Sequence, residues 1–99
     1  MKPQIRPGQV VFSKKGRDKS RYFVVLYDVD AEFVMITDGD TRKLDHLKKK
    51  RRKHLTACPL EAPGLLEKYS IGQLKDSDVR AFLYPIKQQH ASGVDTPQQ

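Results

Sequence analysis

A chain of 99 residues has room for one domain with a modest core, and at 37% hydrophobic and 31% charged residues it is polar for a globular protein. Its apolar residues nevertheless fall in clustered runs, which excludes a wholly disordered chain, and none approaches the roughly 20 residues of a membrane-spanning helix. The net charge is +7, and the single cysteine, Cys58, excludes an internal disulfide framework.

The N-terminal segment Met1 to Pro7 lacks the apolar stretch of a secretory signal, so the expected setting is soluble, reducing and cytoplasmic. Val10 to Ser13 is the first expected strand. Lys14 to Ser20 contains no apolar residue and reads as a turn into a second strand, Arg21 to Asp28. That strand is apolar throughout from Phe23 to Tyr27, so both of its faces should be covered. Asp28 to Ala31 turns the chain into a third strand, Glu32 to Thr37, and Asp38-Gly39-Asp40 carries the Asp-Gly signature of a tight hairpin. Beyond Cys58, Pro63 to Tyr69 and Ser77 to Leu83 read as short helices that supply the cover. In the second, Val79, Phe82, Leu83 and Ile86 share one face, Asp76 or Ser77 is the expected N-cap, and Pro85 should end or kink the helix near residue 84. The tail from His90 to Gln99 is polar and expected to be loose.

Charge is distributed in zones: residues 1–21 carry +6, residues 22–41 carry five acids and no base, and residues 42–54 carry +7. The last of these contains six consecutive cations, Lys48 to Lys53. Adjacent like charges repel and weaken a compact state, so the block calls for a polyanionic partner, nucleic acid being the commonest. A solvated loop, a localisation signal and attachment to anionic lipid are the other meanings of such a run. Leu44, Leu47 and Leu55 are its only apolar neighbours, fewer than an amphipathic membrane helix needs. If the fold brings residues 14–21 and 42–53 together, the two basic zones form one surface.

The segment Pro7 to Val25, with Gly8, Gly16 and the basic run Lys14-Lys15-Gly16-Arg17-Asp18-Lys19-Ser20-Arg21, resembles a KOW motif. It is most similar to the small KOW-domain RNA-binding proteins related to a large-subunit ribosomal protein family. Ser20 stands where the motif usually has glycine. The resemblance implies a mainly β fold, a small SH3-like barrel over residues 5–58. Beyond the resemblance, the residues themselves predict a helical extension, 59–89, packed on the barrel, and a disordered tail, 90–99. The resemblance also implies that the loop between the first two strands touches RNA. The expected contact set is Lys14, Lys15, Arg17, Lys19, Arg21, Arg42, Lys43, Lys48, Lys49, Lys50, Arg51, Arg52 and Lys53, and the expected partner is structured, ribosomal RNA or the ribosome. Lys and Arg there neutralise phosphate, and the Arg side chains also grip it in a fork or stack on a base. Phe12, Tyr22 and Tyr27 are the aromatics placed near these loops, and strand aromatics are usually buried, so backbone and shape recognition is expected.

Two rivals belong to other classes. A protein-interaction module of the translation or transcription machinery would offer the acids from Asp28 to Asp40 to a basic partner. An enzyme or zinc site would use His54 and Cys58, four residues apart, but the other His residues, His46 and His90, supply no matching half. Neither catalysis nor a cofactor is expected. Cys58 reads more simply as a small apolar residue at the end of the last strand.

Overall fold

The computed structural model describes residues 5–95. Met1 to Gln4 and residues 96–99, which hold part of the basic N-terminus and the end of the expected tail, lie outside the described residues. The first three strands form where the apolar runs predict them: β1 (Gln9–Ser13), β2 (Tyr22–Asp28) and β3 (Phe33–Thr37). Their antiparallel register sets Val11 opposite Phe23 and Val25 opposite Ile36. Two more strands, β4 (Lys48–Arg51) and β5 (Leu55–Glu61), complete a five-stranded antiparallel sheet in the order β4-β3-β2-β1-β5. A 3-10 turn, Arg52–His54, carries the chain from one edge strand to the other, and the sheet is not closed.

Alternation along β1 and β2 divides the apolar residues between two clusters, one on each face. Val11, Phe23, Val25, Val34, Ile36 and Leu55 form one; Val10, Tyr22, Val24, Ala62, Leu65, Val79 and Leu83 form the other. The second lies beneath the helices α1 (Pro63–Ser70) and α2 (Asp76–Asp95), which is why β2 is apolar on both sides. Each fully buried side chain such as Phe23, Ile36 or Leu83 contributes about 2 kcal/mol by leaving water.

At a register shift between Gln9 and Val11, the ladder to β5 is interrupted. The Gln9 side-chain amide repairs it by donating to the carbonyls of Cys58 and Leu60. β5 consequently runs past Pro59 to Glu61.

Three local expectations are corrected. The connection after β3 is not a two-residue hairpin but a loop of ten residues, containing a turn closed by Asp38 N–H donating to the Arg42 carbonyl and a 3-10 turn at Leu44–His46. Buried Asp38 organises it, accepting from the backbone N–H groups of Asp40 and Arg42 and from the Thr41 hydroxyl. Of the two outcomes expected at Pro85, an end or a kink, the end does not occur: helix α2 continues to Asp95, through the first part of the expected tail. Pro85 and Ala81 both face solvent, so the carbonyl that loses its helical partner can be hydrated while Val79, Leu83 and Ile86 hold the helix down. Nor do Asp76 or Ser77 cap the helix. Asp78 reaches back to the Lys75 N–H at 3.0 Å, the reciprocal half of a capping box, which also holds its carboxyl below the usual range. The Asp76 carboxylate instead accepts from the Leu44 N–H at 2.8 Å, tying the β3–β4 loop to the helix start.

Gly39 sits at that junction with φ +74°, and its carbonyl accepts from Arg80 at 2.7 Å. A Cβ there would press into the Asp76 carbonyl oxygen and crowd Val79 and Arg80, so only glycine lets the loop dock.

Candidate functional site

The loop between β1 and β2 is closed by Ser20 N–H donating to the Ser13 carbonyl and by Lys19 N–H donating to that of Gly16. Within this otherwise exposed loop Asp18 is buried, 4% exposed. Its two carboxylate oxygens accept from Arg42 Nε and Nη2 at 3.0 and 3.1 Å, a two-pronged pair, and Lys50 Nζ lies 3.9 Å away. Lys50 is itself buried and donates to the Lys15 carbonyl at 2.8 Å. One carboxylate and one lysine thus fasten the β1–β2 loop to the cationic block at its start, Arg42, and again within its run of six, Lys50, so the fold brings the two basic zones together.

The block itself is not a solvated loop. Its core is the edge strand β4, paired Phe33 to Arg51, Val34 to Lys50, Met35 to Lys49 and Ile36 to Lys48. Since opposed residues share a face, Lys48 and Lys50 project with the buried Val34 and Ile36, whereas Lys49 and Arg51 project the other way. Lys50 can be buried there because its aliphatic stem covers apolar surface while the ammonium finds a carbonyl and a carboxylate. Arg51 pairs with Glu32 at 2.7 Å; Arg52 pairs with Asp28 at 2.6 Å and donates to the Asp30 carbonyl at 2.9 Å. Four of the thirteen expected contact residues, Arg42, Lys50, Arg51 and Arg52, are therefore occupied within the fold. The other nine, Lys14, Lys15, Arg17, Lys19, Arg21, Lys43, Lys48, Lys49 and Lys53, form no carboxylate ion pair among the described residues.

Four of the five acids of the acidic zone are also engaged within the fold. Asp28 and Glu32 neutralise Arg52 and Arg51, Asp38 is buried in its turn, and Asp30 accepts from the N–H groups of Glu32 and Phe33, both at 2.8 Å. Those two backbone bonds hold the Asp30 carboxyl below the usual carboxylate range. Asp40 is exposed and has no such tie among the described residues.

Of the aromatics singled out from sequence, Tyr22 is core and Phe12 packs against that core, their rings tilted at 60° with centroids 5.0 Å apart. Tyr27 is 41% exposed and stacks on Tyr69 of α1. The aromatic that sequence reasoning missed is Phe33, which has Lys49 Nζ and Arg51 Cζ each 4.8 Å from its ring centroid. Only the β3–β4 register, invisible in a run of like cations, shows that pairing.

Cys58 is half-buried against the helix-side cluster, and burial pushes its thiol pKa up, away from the thiolate that a nucleophile or metal ligand needs. Partial burial, then Lys15, Lys53, Lys50 and Arg51, push the His54 pKa down. No family model and no curated protein matches this chain.

Proposed function

We propose that this protein binds structured RNA, ribosomal RNA in particular, by neutralising phosphates, and acts on or beside the ribosome in the cytoplasm. The observation that carries the reading is the Asp18–Arg42–Lys50–Lys15 joint. It holds two cationic segments side by side while nine of their cations have no carboxylate partner among the described residues. A surface so charged gains strongly from releasing the counterions condensed on a polyanion. Contacts of this kind orient RNA without reading its sequence.

A KOW-type, SH3-like barrel is the fold reading that goes with it. Three features support it: a five-stranded order whose two edge strands are joined through a 3-10 turn, positive φ at Gly8 and Gly16, and Ser20 at φ +69°. Serine there adopts the left-handed backbone for which the motif normally uses glycine. The rival protein-interaction reading is disfavoured by charge, since Asp28, Glu32 and Asp38 already have partners inside the fold.

The test is the salt dependence of affinity for ribosomal RNA. Replacing Lys15, Lys19, Lys48 and Lys53 with Gln removes four cations that hold no ion pair among the described residues, and should lower the log-log slope by about 3. An unchanged slope would reject this surface as the contact site.

A further inference from the structure

The sheet face that carries α1 and α2 over β1 and the start of β2 extends beyond the helix-covered cluster at its β4 end. There Tyr27, Met35 and Lys49 are successive cross-strand partners on β2, β3 and β4. Phe33, two residues from Met35 and so on the same face, lies opposite Arg51. Neither hydrophobic cluster includes Tyr27, Phe33 or Met35. Two aromatic rings, a thioether and two cations therefore share one face, with Tyr27 exposed and Phe33 and Met35 partly so.

Their chemistry selects a partner. Apolar rings beside a guanidinium and an ammonium suit a ligand with a flat π-face and an attached anion, which describes a nucleotide whose base has left its helix. In the free chain Lys49 Nζ and Arg51 Cζ sit 4.8 Å from the Phe33 centroid, and Arg51 is held besides by Glu32 at 2.7 Å. An arriving base would take the place of the Lys49 ammonium on the ring, and the displaced ammonium would meet the phosphate of the same nucleotide. Tyr27, braced by stacking on Tyr69 at 6.5 Å and 10°, borders the platform on the β2 side.

Resting on the RNA reading above, we infer that Phe33, with Lys49, Arg51, Met35 and Tyr27 around it, is a stacking platform for one unpaired base of the bound RNA. The preferred substrate is then a duplex interrupted by a bulged nucleotide, in which the Lys14 to Arg21 loop follows the backbone while Phe33 receives the base.

The experiment compares the affinity of the full chain for an RNA hairpin with a single-nucleotide bulge and for the same hairpin without it. The wild type should prefer the bulged hairpin by about tenfold, and Phe33→Leu should bring the ratio of the two affinities to about one. The ratio of the two affinities does not depend on how much of the variant is folded. Phe33→Trp should keep the preference, and, because the chain contains no tryptophan, its fluorescence should be quenched by the bulged hairpin alone. A preference unaltered by Phe33→Leu would overturn the platform and leave phosphate binding standing. Failure of the wild type to bind either hairpin would overturn both.

Discussion

Asp18 and Arg42, 24 residues apart in the chain, meet in a two-pronged ion pair with the carboxylate only 5% exposed. The pair joins the tip of the first hairpin to the start of the cationic block, and Lys50, 8% exposed, shares the same carboxylate at 3.9 Å. Two cations lean on one acid.

Removing that charge should therefore be felt at both. Asp18→Asn keeps the shape but leaves a buried ammonium and a largely buried guanidinium without their counter-charge, at a cost of about 3 kcal/mol. Urea denaturation of the variant checks it, and a loss below about 1 kcal/mol would mean that water screens the pair.

Ser20 holds φ +69°, a conformation that costs a residue with a Cβ roughly 1–2 kcal/mol and glycine nothing. Against this, glycine gives the unfolded chain more freedom, worth roughly 0.5–1 kcal/mol. Ser20→Gly should accordingly raise stability by about 0.5–1 kcal/mol, whereas β-branched Ser20→Val should lower it. Thermal melts of the two variants should move in opposite directions.

The opposite experiment applies at Gly39, where positive φ coincides with a backbone oxygen in the way of any Cβ. Gly39→Ala should cost about 3 kcal/mol through strain and displacement of the loop from α2. Arg80→Ala, which removes the hydrogen bond to the Gly39 carbonyl and leaves the backbone there unstrained, should cost about 1 kcal/mol. Equal losses in the two variants would place the effect in the hydrogen bond and not in the backbone.

The pH dependence of stability has two sources. His54 titrates below its ordinary 6.5 because partial burial and four nearby cations oppose its protonation. The unfolded chain then binds more protons, so stability falls as pH drops below about 6.5 and stops falling under the depressed folded value. Asp30 and Asp78 titrate below 3.8 because backbone N–H groups favour their charged forms. Their contribution is full above that ordinary value and is lost as pH falls through their lowered folded values. Melting temperature against pH should show a shallow decline beginning near 6.5 and a second under 4; His54→Gln should remove the first alone.

The first three strands and the presence of both helices were legible because apolar periodicity marks them, from Val10-Val11-Phe12 through Val79 and Leu83. β4 was not, since Lys48-Lys49-Lys50-Arg51 has no apolar alternation to read. Its strand state comes from pairing with β3, and its two faces differ in surroundings, not in residue type. The same blindness hid which cations are consumed: nothing local distinguishes Lys50, whose ammonium meets Lys15, from Lys49 beside it. Helix α2 outlasted Pro85 because tertiary packing on one side and solvent on the other outweighed the missing hydrogen bond.

One edge of the open sheet is β4, four residues long and wholly basic. An unpaired edge is a template for another strand, and a copy of this chain docking there would have to set lysine against lysine. The charge proposed to attract a polyanion would thus also keep the molecules apart. Acetylating or neutralising these lysines should therefore compromise solubility before it compromises folding, and excess polyanion should act as a chaperone against aggregation only while it leaves the edge covered.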